Sequence, residues 1–119
     1  MRIRSIKPEF WRSNPGGVFA IDASDRPSWK ALGQSDLGGE LVYRLYDAQM
    51  NLLYVGITWN PFVRWTYHAR KKAWWPAVRY ASLYQCESER AARNVESVAI
   101  QLEHPMRNIH QVRRANATH

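Results

Sequence analysis

A chain of 119 residues can build one hydrophobic core but not two. Its 45% apolar content contains no run near the ~18 residues of a membrane span, and its single cysteine, Cys86, excludes an internal disulfide and a paired-cysteine zinc site. Seventeen lysines and arginines against ten acidic residues give a formal charge of +7, which points to a polyanionic partner.

Thirteen of the seventeen cations are arginine, whose planar fork grips phosphate, and six tryptophans and six tyrosines supply stacking surfaces. Such a composition suits nucleic-acid binding, although a basic chain can also be merely soluble and its aromatics merely packed. With no leader preceding the domain, the expected location is the cytoplasm.

Residues 1–39 lack a sustained period and are punctuated by Pro8, Pro15-Gly16-Gly17, Pro27 and Gly38-Gly39. They read as an irregular, partly mobile arm. The arm is expected to cover an edge of the core with Phe10, Trp11, Phe19 and Trp29 rather than to grip DNA. Leu41 to Thr58, LVYRLYDAQMNLLYVGIT, then alternates in two halves and predicts a hairpin. A four-residue loop, Asp47 to Met50, would set Tyr43 directly opposite Tyr54, beside Gly56.

Asn60-Pro61 is a helix start, with Asn as N-cap and Pro at the first helical position. This helix should run to about Lys72, projecting Arg64 and His68 from one face and ending in the basic run Arg70-Lys71-Lys72. Trp74-Trp75-Pro76 breaks it. Val78 to Gln85 alternates again and predicts a third strand. A second helix is expected from an N-cap at Ser88 to Glu103, with an apolar stripe of Ala91, Val95, Val98 and Leu102 joined by Ala92 and Ala99. Glu96 lies just off that stripe, where its carboxylate needs a cation, a metal or open water. Asn108 follows in an extended segment, and residues 111–119 form a polar tail containing Arg113 and Arg114. The elements sum to an α+β fold, a small three-stranded antiparallel sheet flanked by helices.

In chain order the candidates are Tyr43, Tyr54 with Gly56, Arg64, His68, Glu96 and Asn108. Residues 40–110, about seventy residues, resemble a GIY-YIG nuclease domain: a strand motif ending in Tyr, a Tyr-x-Gly strand, Arg on the next helix, Glu on a later one, then Asn. His68, one turn after Arg64, resembles the Arg-x-x-x-His variant of restriction-type members. The first motif departs from the pattern, reading Leu41-Val42-Tyr43 where the family has Gly-Ile-Tyr; the second reads Tyr54-Val55-Gly56. The opening stretch from Arg2 to Trp11 resembles the start of phage-encoded replication and DNA-binding proteins.

The resemblance implies a metal-dependent endonuclease on DNA, expected to be double-stranded, with a dimer on DNA as one arrangement and a phage or mobile element as one origin. Glu96 would hold one Mg2+ (or Mn2+), since Mg2+ commonly takes one or two carboxylates and completes its shell with waters and phosphate. Arg64 would fork onto the scissile phosphate. The resemblance gives Tyr43 the proton of the attacking water, with His68 as relay or itself the base. Tyr54 and Asn108 would orient water and phosphate. Arg44, Arg70, Lys71, Lys72, Arg113 and Arg114 are candidate DNA contacts. Two other classes stay open: an inactive nucleic-acid-binding module on the same fold, and an assembly protein using a Trp-rich surface.

Overall fold

The computed structural model describes residues 17–27, 29–30 and 40–108. They form an α+β fold with a four-stranded antiparallel sheet and two helices. The strands are β1 (Val18–Ala20), β2 (Glu40–Tyr46), β3 (Leu52–Thr58) and β4 (Tyr80–Cys86), in spatial order β1-β4-β2-β3. The helices are α1 (Pro61–Lys71) and α2 (Glu89–Glu103), with a 3-10 turn at Trp75–Ala77 between α1 and β4. None of the described helices is long and apolar enough to cross a membrane.

Two expectations change. The sheet gains a strand from the supposed arm: β1 pairs with β4 through Phe19 and Ala81, and Phe19 and Trp29 are buried. Three residues are too few to show alternation, so β1 has no periodic signature in the sequence. Phe10, Trp11, Arg113 and Arg114 lie outside the described residues.

The hairpin register also differs. Its loop has five residues, 47–51, because the Asp47 carboxylate accepts hydrogen bonds from the Gln49 and Asn51 backbone N–H groups, both at 2.9 Å, while Met50 turns with φ 64°. A bulge at Leu53 follows, so Tyr43 pairs with Gly56 and Tyr54 with Leu45. The shift from the expected pairing is two residues, an even number, which keeps both tyrosines on the same face.

Caps fix both helices. The Asn60 side chain accepts from the Val63 N–H at 3.2 Å, Pro61 opens α1, and His68, Arg70 and Lys71 place basic residues in its last turn. The Ser88 hydroxyl accepts from the Ala91 N–H at 3.1 Å, and α2 ends where His104 turns left-handed ahead of Pro105.

The helices take opposite faces of the sheet. Trp65 of α1 packs with Leu41, Tyr43, Leu45, Leu83 and the Trp29 and Trp75 rings. Ala92, Ala99 and Ile100 of α2 pack with Val42, Val55 and Cys86. The buried stripe of α2 is therefore rotated from the expected one, and Val98 and Leu102 are exposed. Small alanines win the contact because they let the helix approach the sheet closely, and the longer side chains fall on the outer surface.

Candidate active site

The site is built on Tyr43, central in β2 and fully buried. Its ring lies across Gly56, its register partner: a Cβ added to Gly56 would sit 2.5 Å from both Cζ and Oη of Tyr43. The glycine is therefore needed for room, the close-approach role glycine commonly takes in strands. One helical turn after Arg64, His68 brings its Nε2 to 2.6 Å from the Tyr43 Oη, and this residue too is fully buried.

Tyr54 stacks on Tyr43 at 6.0 Å between ring centroids and meets His68 edge-on at 4.8 Å. Trp74 closes the cluster, stacked on Tyr54 at 5.3 Å and tilted against His68 at 5.4 Å. In the sequence Trp74-Trp75 reads only as a helix breaker, and its place in this wall emerges from the fold. An aromatic pair within a turn of a basic helix end was the available signal.

Arg64 is half-buried; Tyr54 keeps 8% of its surface exposed and Tyr43 none. Burial works against the Arg64 charge, yet its attraction to the ionised forms of Tyr43 and Tyr54 raises its pKa overall. Burial and the neighbouring Tyr54 push the Tyr43 phenol far above its ordinary value, with Arg64 pulling the other way. Tyr54 is also raised, chiefly by burial, against the pull of Arg64. Burial, then the charges of Arg64 and Lys72, bring His68 down to about 3. At neutral pH the pair is thus a neutral imidazole and a neutral phenol.

Glu96 is partly buried on α2 and acts electrostatically on Tyr43, Tyr54 and Arg93. The α2 helix packs on the face of the sheet opposite the phenols. The ion pair of Arg93 is with Glu89, at 2.8 Å. No group of three or more His, Cys, Asp or Glu that could hold a metal occurs among the described residues. Of the candidate site residues, Glu96 is the one carboxylate, the group through which a hard cation could be held.

Two predicted site residues make contacts within the fold. Asn108, buried, accepts from the Val55 N–H and donates to the Val55 carbonyl, both at 2.9 Å. With Met106 N–H on the Leu52 carbonyl and Arg107 N–H on that of Leu53, it covers the edge of β3. Through these bonds Asn108 holds the strand edge. Arg44 lies two-pronged on Glu103, both contacts 2.8 Å, and joins β2 to the end of α2. Two of its donors, on Nε and Nη2, are engaged by that carboxylate. Arg70 and Lys71 are exposed at the end of α1, with Lys72 half-buried just beyond.

The fold and site thus define an α+β protein with a buried Tyr-His pair under an arginine, at the edge of its sheet. Comparison with protein-family models, with curated proteins and with solved structures finds no match to this chain.

Proposed function

We propose that the chain is a metal-dependent DNA endonuclease of the GIY-YIG type, hydrolysing phosphodiester bonds with one divalent cation. The observation that carries this reading is the convergence of Tyr43, Tyr54, Arg64 and His68 from β2, β3 and α1, with Glu96 acting on the two phenols from α2. Charge separation in a packed interior is costly, so a cluster of cation, phenols, imidazole and carboxylate calls for a purpose beyond packing.

In this reading Arg64 receives the scissile phosphate and stabilises the charge that builds on its oxygens. Glu96 holds the cation, Mg2+ or Mn2+, which when bound supplies Lewis-acid stabilisation of the phosphate. A proton leaving the attacking water passes to the Tyr43 oxygen while the Tyr43 proton passes to His68 Nε2, so no free phenolate has to form. The low pKa of His68 opposes this transfer at rest, and part of that opposition comes from the Arg64 charge. A phosphate on Arg64 neutralises that charge, and His68 becomes a better base when substrate is present. Tyr54 and Arg64, the more exposed members, form the entrance.

The test is incubation of the purified protein with plasmid DNA and Mg2+, alongside Glu96→Gln. Cutting by the wild type and not by the variant is expected. An intact plasmid, or equal cutting by both, defeats the proposal. The complete burial of the Tyr43 hydroxyl favours a second reading, an inactive nucleic-acid-binding module. That reading requires salt-sensitive DNA binding with no metal-stimulated cleavage.

A further inference from the structure

A second basic and aromatic surface adjoins the site. A groove of about 370 Å³ runs along the outer face of α1, floored by Phe62, Thr66 and Tyr67 and bordered by Arg26, Arg70 and Lys71. The floor is laid by helical spacing: residues 62, 66 and 70 form one row and 63, 67 and 71 the next. Two and a half turns of helix give the groove a length of roughly 13 Å.

Among the described residues, three cations and no carboxylate line it. The Arg26 guanidinium lies over the Phe62 ring, 5.5 Å from the centroid, and Arg64 of the candidate active site lies over Tyr67 at 5.2 Å. Tyr67 is 45% exposed. An exposed aromatic floor between cationic walls suits a strand whose phosphates meet the walls and whose base lies on a ring. Stacking of this kind requires a base that is not already paired. A concavity of this size takes a nucleotide but not a double helix.

We infer that this groove binds a single strand of nucleic acid, and that the nucleotide next to the phosphate held at Arg64 is unpaired when the strand is seated, an opening that the negative supercoiling of a plasmid supplies. The second half rests on the nuclease reading; the first does not. Through its stacking on Tyr67, Arg64 joins the groove to the site, so a strand seated in the groove leads directly to the Tyr43–His68 pair.

The experiment is fluorescence anisotropy in EDTA, so that binding is read without cleavage, using a labelled oligonucleotide as a single strand and as its blunt duplex. Wild type should prefer the single strand. Tyr67→Ala should weaken single-strand binding about tenfold and leave the duplex unchanged, while Tyr67→Phe retains the ring and the affinity. Arg26→Ala and Lys71→Ala should each flatten the slope of log affinity against log salt by about 0.7 on single strands. All four side chain changes fall on the surface, and circular dichroism verifies that the fold is kept. Single-strand binding unaffected by Tyr67→Ala, an equal loss on both substrates, or unchanged salt slopes overturn the inference. Groove-dependent binding without plasmid cutting would end the nuclease reading and leave the groove standing. Cutting with no dependence on Tyr67 does the reverse.

Discussion

Replacing Gly56 by alanine tests the central geometry without any assumption about activity. The added Cβ would meet the Tyr43 Cζ and Oη at 2.5 Å and Cε1 at 2.9 Å. A flexible side chain could swing away, but Tyr43 is fully buried between Tyr54, Trp65 and His68. Either β3 shifts outward or the ring is displaced and its contact with His68 is lost. Overpacking costs about 1–3 kcal/mol and a lost buried hydrogen bond about 0.5–1.5 kcal/mol, so Gly56→Ala should destabilise by about 2–4 kcal/mol. For a domain of this size that lowers Tm by roughly 8–16 °C, read by thermal circular dichroism. The cycle with Tyr43→Leu supplies the control: with the ring end gone, the same alanine should cost less than about 1 kcal/mol. A Tm within about 2 °C of wild type for Gly56→Ala, or equal costs in both backgrounds, would refute the account.

The remaining predictions concern the partners of this pair. His68 has its folded pKa depressed to about 3, so the stability it contributes is complete above its unfolded value near 6.5 and is lost as pH falls from there towards 3. Between pH 7.5 and 4.5 wild type should lose about 2–3 kcal/mol more than His68→Gln, measured by urea unfolding; parallel curves would dismiss a buried neutral imidazole. Asn108→Ala leaves the Val55 N–H and carbonyl unpaired at the β3 edge and should cost about 2–4 kcal/mol, with faster hydrogen exchange at the Val55 amide. Arg44→Ala breaks a partly exposed ion pair, should cost no more than about 1 kcal/mol, and should leave the salt slope of DNA binding unchanged. In the plasmid assay Tyr43→Phe should abolish cutting and Tyr54→Phe leave it near normal, and the opposite pattern would exchange their assigned roles.

The parts legible in the sequence were those governed by local rules. Asn60-Pro61 and Ser88 announced helix starts because capping needs only the residue and its next turn. Alternation in Leu41–Leu45 and Val78–Gln85 announced strands, although β4 begins at Tyr80 because the Val78 N–H still closes the preceding 3-10 turn onto the Trp75 carbonyl. What required the structure was non-local. The loop length depended on an Asp47 side chain reaching four residues on, and that set the register of the hairpin. The apolar stripe of α2 depended on which residues the sheet could approach, a choice between two adjacent rows that periodicity leaves open. Asn108 and Arg44 carry side chains suited to phosphate, and their contacts with the Val55 backbone and Glu103 could not be read from the sequence because those partners lie about fifty residues away or more along the chain.

The same non-local geometry explains why the candidate site sits where it does. Tyr43 belongs to β2, an interior strand, and its phenol would ordinarily end in the core. Because the neighbour across the ladder is Gly56, the ring can lie over β3 towards the edge of the sheet, where Arg64 arrives from one face and the influence of Glu96 from the other. Any side chain at position 56 would close that path. Leu41 and Val42, which stand before Tyr43, are both fully buried, with Leu41 among the residues packed under α1 and Val42 among those under α2. Those two positions fill core, whereas Gly56 makes room for the Tyr43 ring. A change at 41 or 42 therefore bears on packing, and the arrangement of Tyr43, His68 and Arg64 depends on the glycine at 56.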